Sequence, residues 1–190
     1  HTKNEIIAKN ITKEYQTLLN SIHKQNLDCN ISIKPSHLGS DISQACIENN
    51  INQLIQTANE NDNFIRLDME SSSQTDLTIS LYNKFNKTKN KIGIVFQAYL
   101  YRTENDLKRY INNTDFNFRL CKGIYKESKS KAIQEKDDIN KNYLKLLKFA
   151  FENNFYVGIA THDSFLIKES YKLIETLKIK NDQFEFQILY

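Results

Sequence analysis

Proline and glycine are scarce in this chain, with one Pro and four Gly in 190 residues. No Pro/Gly-rich linker or low-complexity segment divides it, so residues 1–190 read as one domain large enough for a sizeable core. Cysteine is scarce too. Cys29, Cys46 and Cys121 are odd in number and scattered, which excludes a disulfide framework or a zinc site and predicts buried free thiols in a reducing compartment. No apolar run approaches transmembrane length, and no stretch reads as a signal peptide. Arginine is rare: Arg66, Arg102, Arg109 and Arg119 are four of 26 basic residues, and the net charge is only +3. With no basic stripe interleaved with aromatics, the Lys/Asn-rich surface reads as solvated and nucleic acid is excluded as a partner. No Gly-x-Gly-x-x-Gly follows a strand, no His/Glu/Cys spacing suggests a metal, and no nucleophile elbow is present. The first residue is His rather than Met, so the chain is expected to be part of a longer protein.

What is there is alternation. Apolar residues at helical spacing predict helices over 4–26, 42–59, 75–86, 104–112, 137–153 and 165–178. Short β-branched and aromatic runs predict strands over 30–34, 64–69, 91–98, 116–122, 155–160 and 184–189. Thr103, with Asp106 three residues on, approximates a capping box for the fourth helix. Strands recurring at roughly 30-residue spacing mark βα units and a parallel sheet with right-handed crossovers. Two α/β architectures fit: an open doubly wound sheet, or part of an eight-stranded barrel.

Each predicted strand ends in polar or charged groups: Lys34, Asp68 with Glu70, Gln97, Arg119 with Lys122, Thr161 with His162, and Gln187. In a parallel sheet these ends share one side, which in a barrel is where sites are built. Plainer roles stand beside this. Asp68 could pair with Arg66 or cap a helix, His162 could be a loop residue beside an N-cap Asp163, and Gln97 could be a buried amide. Phe118–Tyr125 carries two cations three residues apart. A regular strand turns one of them inward, at a cost that an anionic ligand or a carboxylate must offset. A Lys, an Asp and an Arg without metal or nucleophile suit a small zwitterion beside an electron-accepting cofactor. The carboxylate suits the amine, and a cation suits the anionic reduced form of a flavin.

Six motifs then fall in order: Ile31–Gly39, Ile65–Ser71, Gly93–Leu107, Arg119–Tyr125, Ile159–Asp163 and Phe184–Tyr190. In them the chain resembles proline dehydrogenase, particularly the bacterial monofunctional kind. That resemblance implies a distorted (βα)8 TIM-type barrel, of which six of the eight βα units are expected here, without the first strand or the last strand and helix. It implies FAD-dependent oxidation of L-proline to 1-pyrroline-5-carboxylate, hydride passing to flavin N5 and electrons on to a quinone. A cytoplasmic location with peripheral contact at the inner face of the bacterial membrane goes with it.

By the same resemblance Lys34, Asp68 and Tyr125 serve the substrate, and Asp68 and Arg119 the catalysis. Met69, Gln97, Arg119, Lys122, Gly123, Ile124, Thr161 and His162 serve FAD. The family commonly has Val where Cys121 stands and Ala where Ile124 stands. An arginine pair that grips the substrate carboxylate belongs to the final helix, so impaired turnover is expected of this piece alone. The alternatives are another flavin barrel oxidoreductase, such as one resembling methylenetetrahydrofolate reductase, or an inactive truncated domain.

Overall fold

Helices and strands alternate along the chain as the periodicity predicts. The computed structural model describes residues 1–86, 92–113 and 115–188. It divides into two units, His1–Ile94 and Val95–Tyr190. In each, the paired strands are parallel and sheet order follows chain order.

The first unit holds α1 (Glu5–Lys24), β1 (Ile31–Ile33), α2 (Gln44–Glu60), β2 (Ile65–Leu67), α3 (Thr75–Phe85) and the start of β3 (Ile92–Gln97). Strands β1 and β2 are three residues each, and both residues flanking their centres are buried aliphatics. Ile31, Ile65 and Ile92 share one row, and Ile33, Leu67 and Ile94 another. All six are buried. Asn4 opens α1 by accepting from Ile6 N at 2.9 Å and Ile7 N at 3.3 Å. Ser43 does the same for α2 from Cys46 N at 3.1 Å. Each satisfies amides that a helix start leaves without a partner. The buried face of α1 runs through Ala8, Thr12, Leu19 and Ile22, while Ile7 and Leu18 are exposed. The helical period was legible, but the phase of the buried face was not.

The second unit holds the end of β3, α4 (Thr103–Lys108), β4 (Asn117–Cys121), α5 (Lys136–Glu152), β5 (Tyr156–Ala160), α6 (Ser164–Leu177) and β6 (Phe184–Gln187). Its core is aromatic. Phe116 stacks on Tyr110 with ring centres 4.1 Å apart, and meets Phe155 edge-on at 4.9 Å. Phe118 lies 5.8 Å from Phe96. Period-2 alternation in β4 buries Phe118 and Leu120 on one face. Against Leu120, Tyr143 of α5 donates its hydroxyl to the Leu120 carbonyl at 2.9 Å. Arg119 stands on the other face of β4, half-buried.

Several expectations need correction. The capping box of α4 does not form. Arg102 occupies the N-cap position without a side-chain cap. Thr103 Oγ1 instead turns back to the Gln97 carbonyl at 2.6 Å, and the buried Asp106 carboxylate takes Arg102 Nε at 2.6 Å. The helix α4 ends at Lys108 rather than at 112. The thiols are free but not buried: Cys29 is exposed, and Cys46 and Cys121 are half-buried. Cys29 lies in the connection between α1 and β1. The strand limits expected at Lys91 and Leu189 lie outside the described residues.

Candidate functional site

The polar strand ends collect within each unit. In the first, β1 and β2 run in register and stop at Ile33 and Leu67. The next residues, Lys34 and Asp68, therefore emerge side by side. Lys34 Nζ lies 3.2 Å from Asp68 Oδ2, with the lysine side chain 42% exposed and the aspartate 19%. Asp68 thus has Lys34 as an ion-pair partner, on an adjacent strand. Tyr15 of α1 senses the same pair. Its hydroxyl pKa is raised, first by burial and then by the Asp68 charge, with Lys34 opposing. Met69 is buried.

The loops after these two strands are tied together by Glu70. Its buried carboxylate accepts from Ser36 N at 2.9 Å and from Ser36 Oγ at 2.6 Å. Ser36 lies in the single turn Pro35–His37 that follows Lys34, so Glu70 fixes the segment carrying the lysine. An acid two residues beyond Asp68 was visible in the sequence as part of a polar strand end. Its partner was not.

In the second unit the ends of β3 and β4 are joined beyond the strands themselves. Ala98 N donates to the Cys121 carbonyl at 2.7 Å, and Tyr99 N to the Lys122 carbonyl at 2.9 Å. The chain then turns at Gly123, whose φ of +110° is one that side-chain-bearing residues rarely adopt. A side chain there would also run into the Tyr99 ring, and burial holds the Tyr99 phenol pKa up at about 12. Past the turn, Ile124 is 90% exposed and Tyr125 half-buried. The bulk of Ile124, relative to the alanine common in the resemblance, therefore meets no crowding in this unit.

Arg119 and Lys122 do not fall on opposite faces of one strand, because β4 stops at Cys121. Lys122 Nζ reaches Asp163 Oδ2 at 2.6 Å. Asp163 is also the N-cap of α6, accepting from Phe165 N at 3.0 Å. The hydrogen bond from Lys122 is the main cause holding the Asp163 carboxyl down at about 2. Thr161 is buried, and its hydroxyl accepts from Asp163 N at 3.1 Å. His162 beside it is exposed. Gln97 is buried at the end of β3. Arg119 Nε donates to Gln187 Oε1 on β6.

Among the residues predicted for a site, the structure thus joins Lys34 to Asp68. It gives Lys122 and Arg119 the partners Asp163 and Gln187, neither of which sequence reasoning had placed in a site. The signal for both was faint. Asp163 read as a cap, and Gln187 as one more polar strand end.

The family model for proline dehydrogenase matches residues 1–190. The chain belongs to the proline dehydrogenase family. It is 36% identical over 184 residues to proline dehydrogenase 2 of Bacillus subtilis (strain 168), covering 97% of this chain and 60% of that protein. It is 31% identical over 180 residues to the proline dehydrogenase of Deinococcus radiodurans, covering 91% of this chain and 57% of that one. The chain therefore spans about 60% of the length of such curated relatives. In three dimensions it is similar to proline utilization A from Bdellovibrio bacteriovorus, inactivated by N-propargylglycine. The TM-score is 0.89 at 23% identity, over 100% of this chain and 24% of that one. Proline utilization A from Bradyrhizobium japonicum, mutant D779W, gives a TM-score of 0.85 at 17% identity, over 98% of this chain and 22% of that one. At such identities the likeness shows the fold, and between the two architectures open to the sequence it decides for the barrel type.

Proposed function

We propose that the protein of which this chain forms part oxidises L-proline to 1-pyrroline-5-carboxylate with FAD. The observation that carries this reading is the family match over all of residues 1–190, together with relatives named as proline dehydrogenases. In oxidation of the ring C–N bond, proline gives up two electrons and two protons. When bound, FAD supplies the acceptor for the hydride.

The residues suit these roles. Lys34 pairs with the substrate carboxylate, and Asp68 belongs to the ion-pair network that holds the amine. Both lie at one end of parallel strands, already charge-paired at 3.2 Å and held by the Glu70 clasp. A preformed pair of opposite charges is suited to a zwitterion because each partner can exchange one ionic contact for another. Tyr125 lines the substrate pocket.

The second unit fits the flavin nucleotide by its donor chemistry. Two cations, Arg119 and Lys122, a glycine turn, an exposed apolar Ile124, a threonine hydroxyl and an exposed histidine cluster at the ends of β4 and β5. Cations and hydroxyls suit phosphates and an electron-rich ring edge, and an exposed isoleucine suits an apolar ring face. Lysine carries three N–H donors and gives one to Asp163. Met69 and Gln97 contact the flavin, and Lys122, Gly123 and Ile124 hold it. Thr161 and His162 take the adenosine side. Arg119 places its charge by the ring, where it favours the reduced anion. Electrons leave to a quinone, with the protein in the cytoplasm at peripheral contact with a membrane. Among the described residues no helix is long and apolar enough to cross one.

The test is the visible spectrum of the full-length protein before and after L-proline. Flavin bands that bleach on proline addition support the reading; a colourless protein, or bands unchanged by proline, overturn it. Arg119→Met is then expected to lower the rate of flavin reduction more than the affinity for proline. Unchanged reduction kinetics remove Arg119 from the mechanism.

A further inference from the structure

Arg119 and Glu185 lie on strands that do not touch. β5 separates them, and Gly158 is the residue of β5 that stands in the same row: Arg119 pairs with Gly158, and Gly158 with Glu185. Two strand spacings, roughly 9–10 Å, separate the outer pair. Gln187 sits two residues further along β6, opposite Ala160 and on the same face as Glu185. Its side chain runs back across the row at Gly158. A Cβ on Gly158 would lie 2.9 Å from Gln187 Nε2 and 3.0 Å from Gln187 Cδ, closer than such contacts are found. The missing side chain at Gly158 is therefore the channel through which the glutamine passes.

The amide of Gln187 has only one useful orientation in that channel. Its Oε1 accepts from Arg119 Nε, and its Nε2 donates to Glu185 Oε1 at 2.5 Å. A guanidinium can only donate and a carboxylate can only accept, so reversing the amide loses both bonds. Glu185 thus dictates which end of Gln187 meets the arginine. Because Nε is coplanar with the rest of the guanidinium, a bond at Nε sets the plane of the whole charged group. The Phe residues that alternate with these two, Phe184 and Phe186, meet edge-on at 6.0 Å. Phe186 stacks on Tyr171 of α6 at 4.7 Å. This anchors β6 from its opposite face.

We propose that Gln187, oriented by Glu185 and admitted by Gly158, is a positioning residue that fixes the Arg119 guanidinium for flavin reduction. The inference rests on the reading of Arg119 given above and extends it to three residues to which that reading assigns no role. Gln187 acts through Arg119, to which it is hydrogen-bonded.

The experiment uses full-length, FAD-loaded protein and two readouts: the midpoint potential of the flavin, and the rate of flavin reduction by proline resolved from proline affinity. Gln187→Ala is expected to shift the potential in the same direction as Arg119→Met. It should also slow reduction by about tenfold, a coupling of ordinary size between contacting residues, while proline affinity is held. Gly158→Ala, which closes the channel from a different strand, should reproduce both effects. In an Arg119→Met background, Gln187→Ala should add nothing.

Parent-like potential and rate in Gln187→Ala overturn the proposal, as does an equal loss in the Arg119→Met background. If Gln187→Ala does not take up FAD, Glu185→Ala, which takes that acceptor from Gln187 Nε2, replaces it; a potential and rate unchanged there overturn the proposal too. If Arg119→Met itself changes neither readout, the underlying reading of Arg119 fails, and this inference with it. A loss in Arg119→Met without one in Gln187→Ala sinks the inference alone.

Discussion

Asp163 does two jobs with two oxygens, and Asp163→Asn separates them. Oδ1 caps α6 at Phe165 N, 3.0 Å away, and Oδ2 takes Lys122 Nζ at 2.6 Å. Asparagine caps a helix about as well as aspartate, so the substitution keeps the first job and removes the charge from the second. The size follows from the carboxyl itself, held at about 2 against an ordinary 3.8. At about 1.4 kcal/mol per pKa unit the ceiling is near 2.5 kcal/mol. The lysine side chain is 27% exposed and the aspartate 14%, so solvent screening brings the expected loss to about 1 kcal/mol. Asp163→Ala loses the cap as well and should cost about 1 kcal/mol more.

Urea unfolding at neutral pH measures both, alone and in a Lys122→Met background, where Asp163→Asn should cost almost nothing. The pH dependence has a definite sign. The folded carboxyl is the stronger acid, so its contribution is complete above about pH 4 and fades as pH falls toward 2. Parent and Asp163→Asn should therefore converge in acid. An equal loss in both lysine backgrounds, or a gap of constant size between about pH 5 and about pH 3, would refute the assignment of that stability to the ion pair.

Two further outcomes are expected. Glu70→Ala strands the buried Ser36 amide and should cost about 2–3 kcal/mol, whereas Glu70→Gln keeps an acceptor and should cost under about 1.5 kcal/mol; equal urea midpoints for the two variants would show that Ser36 is satisfied otherwise. Tyr143→Phe removes the buried hydroxyl that donates to the Leu120 carbonyl at 2.9 Å and should cost about 1 kcal/mol, and a stability unchanged in urea unfolding would count against that bond.

The two kinds of information divide cleanly at particular residues. Periodicity placed α5 and α6 to within about two residues, because Leu147, Phe151, Leu166 and Ile174 recur at the helical interval and are buried. It could not choose which of several apolar stripes on α1 turns inward, since Ile7 and Leu18 satisfy the same spacing as Leu19 and Ile22. Nor could it see that Thr103 bonds backward to Gln97, because a local capping pattern says nothing of a competing acceptor six residues earlier.

By itself the sequence determined the α/β class, the parallel order of strands and the residue types at their ends. Those depend on local period, on connection length and on the identity of each side chain. Tertiary structure alone decided who meets whom at those ends. Lys34 found Asp68 because β1 and β2 run in register. Lys122 found Asp163 because β4 stops one residue short of it and α6 begins one residue beyond Asp163. Arg119 found Gln187, 68 positions away, through a gap that one glycine leaves on the strand between. Charge pairing is a property of distance in space, and only the sheet register brings residues so far apart in sequence to within a hydrogen bond of one another.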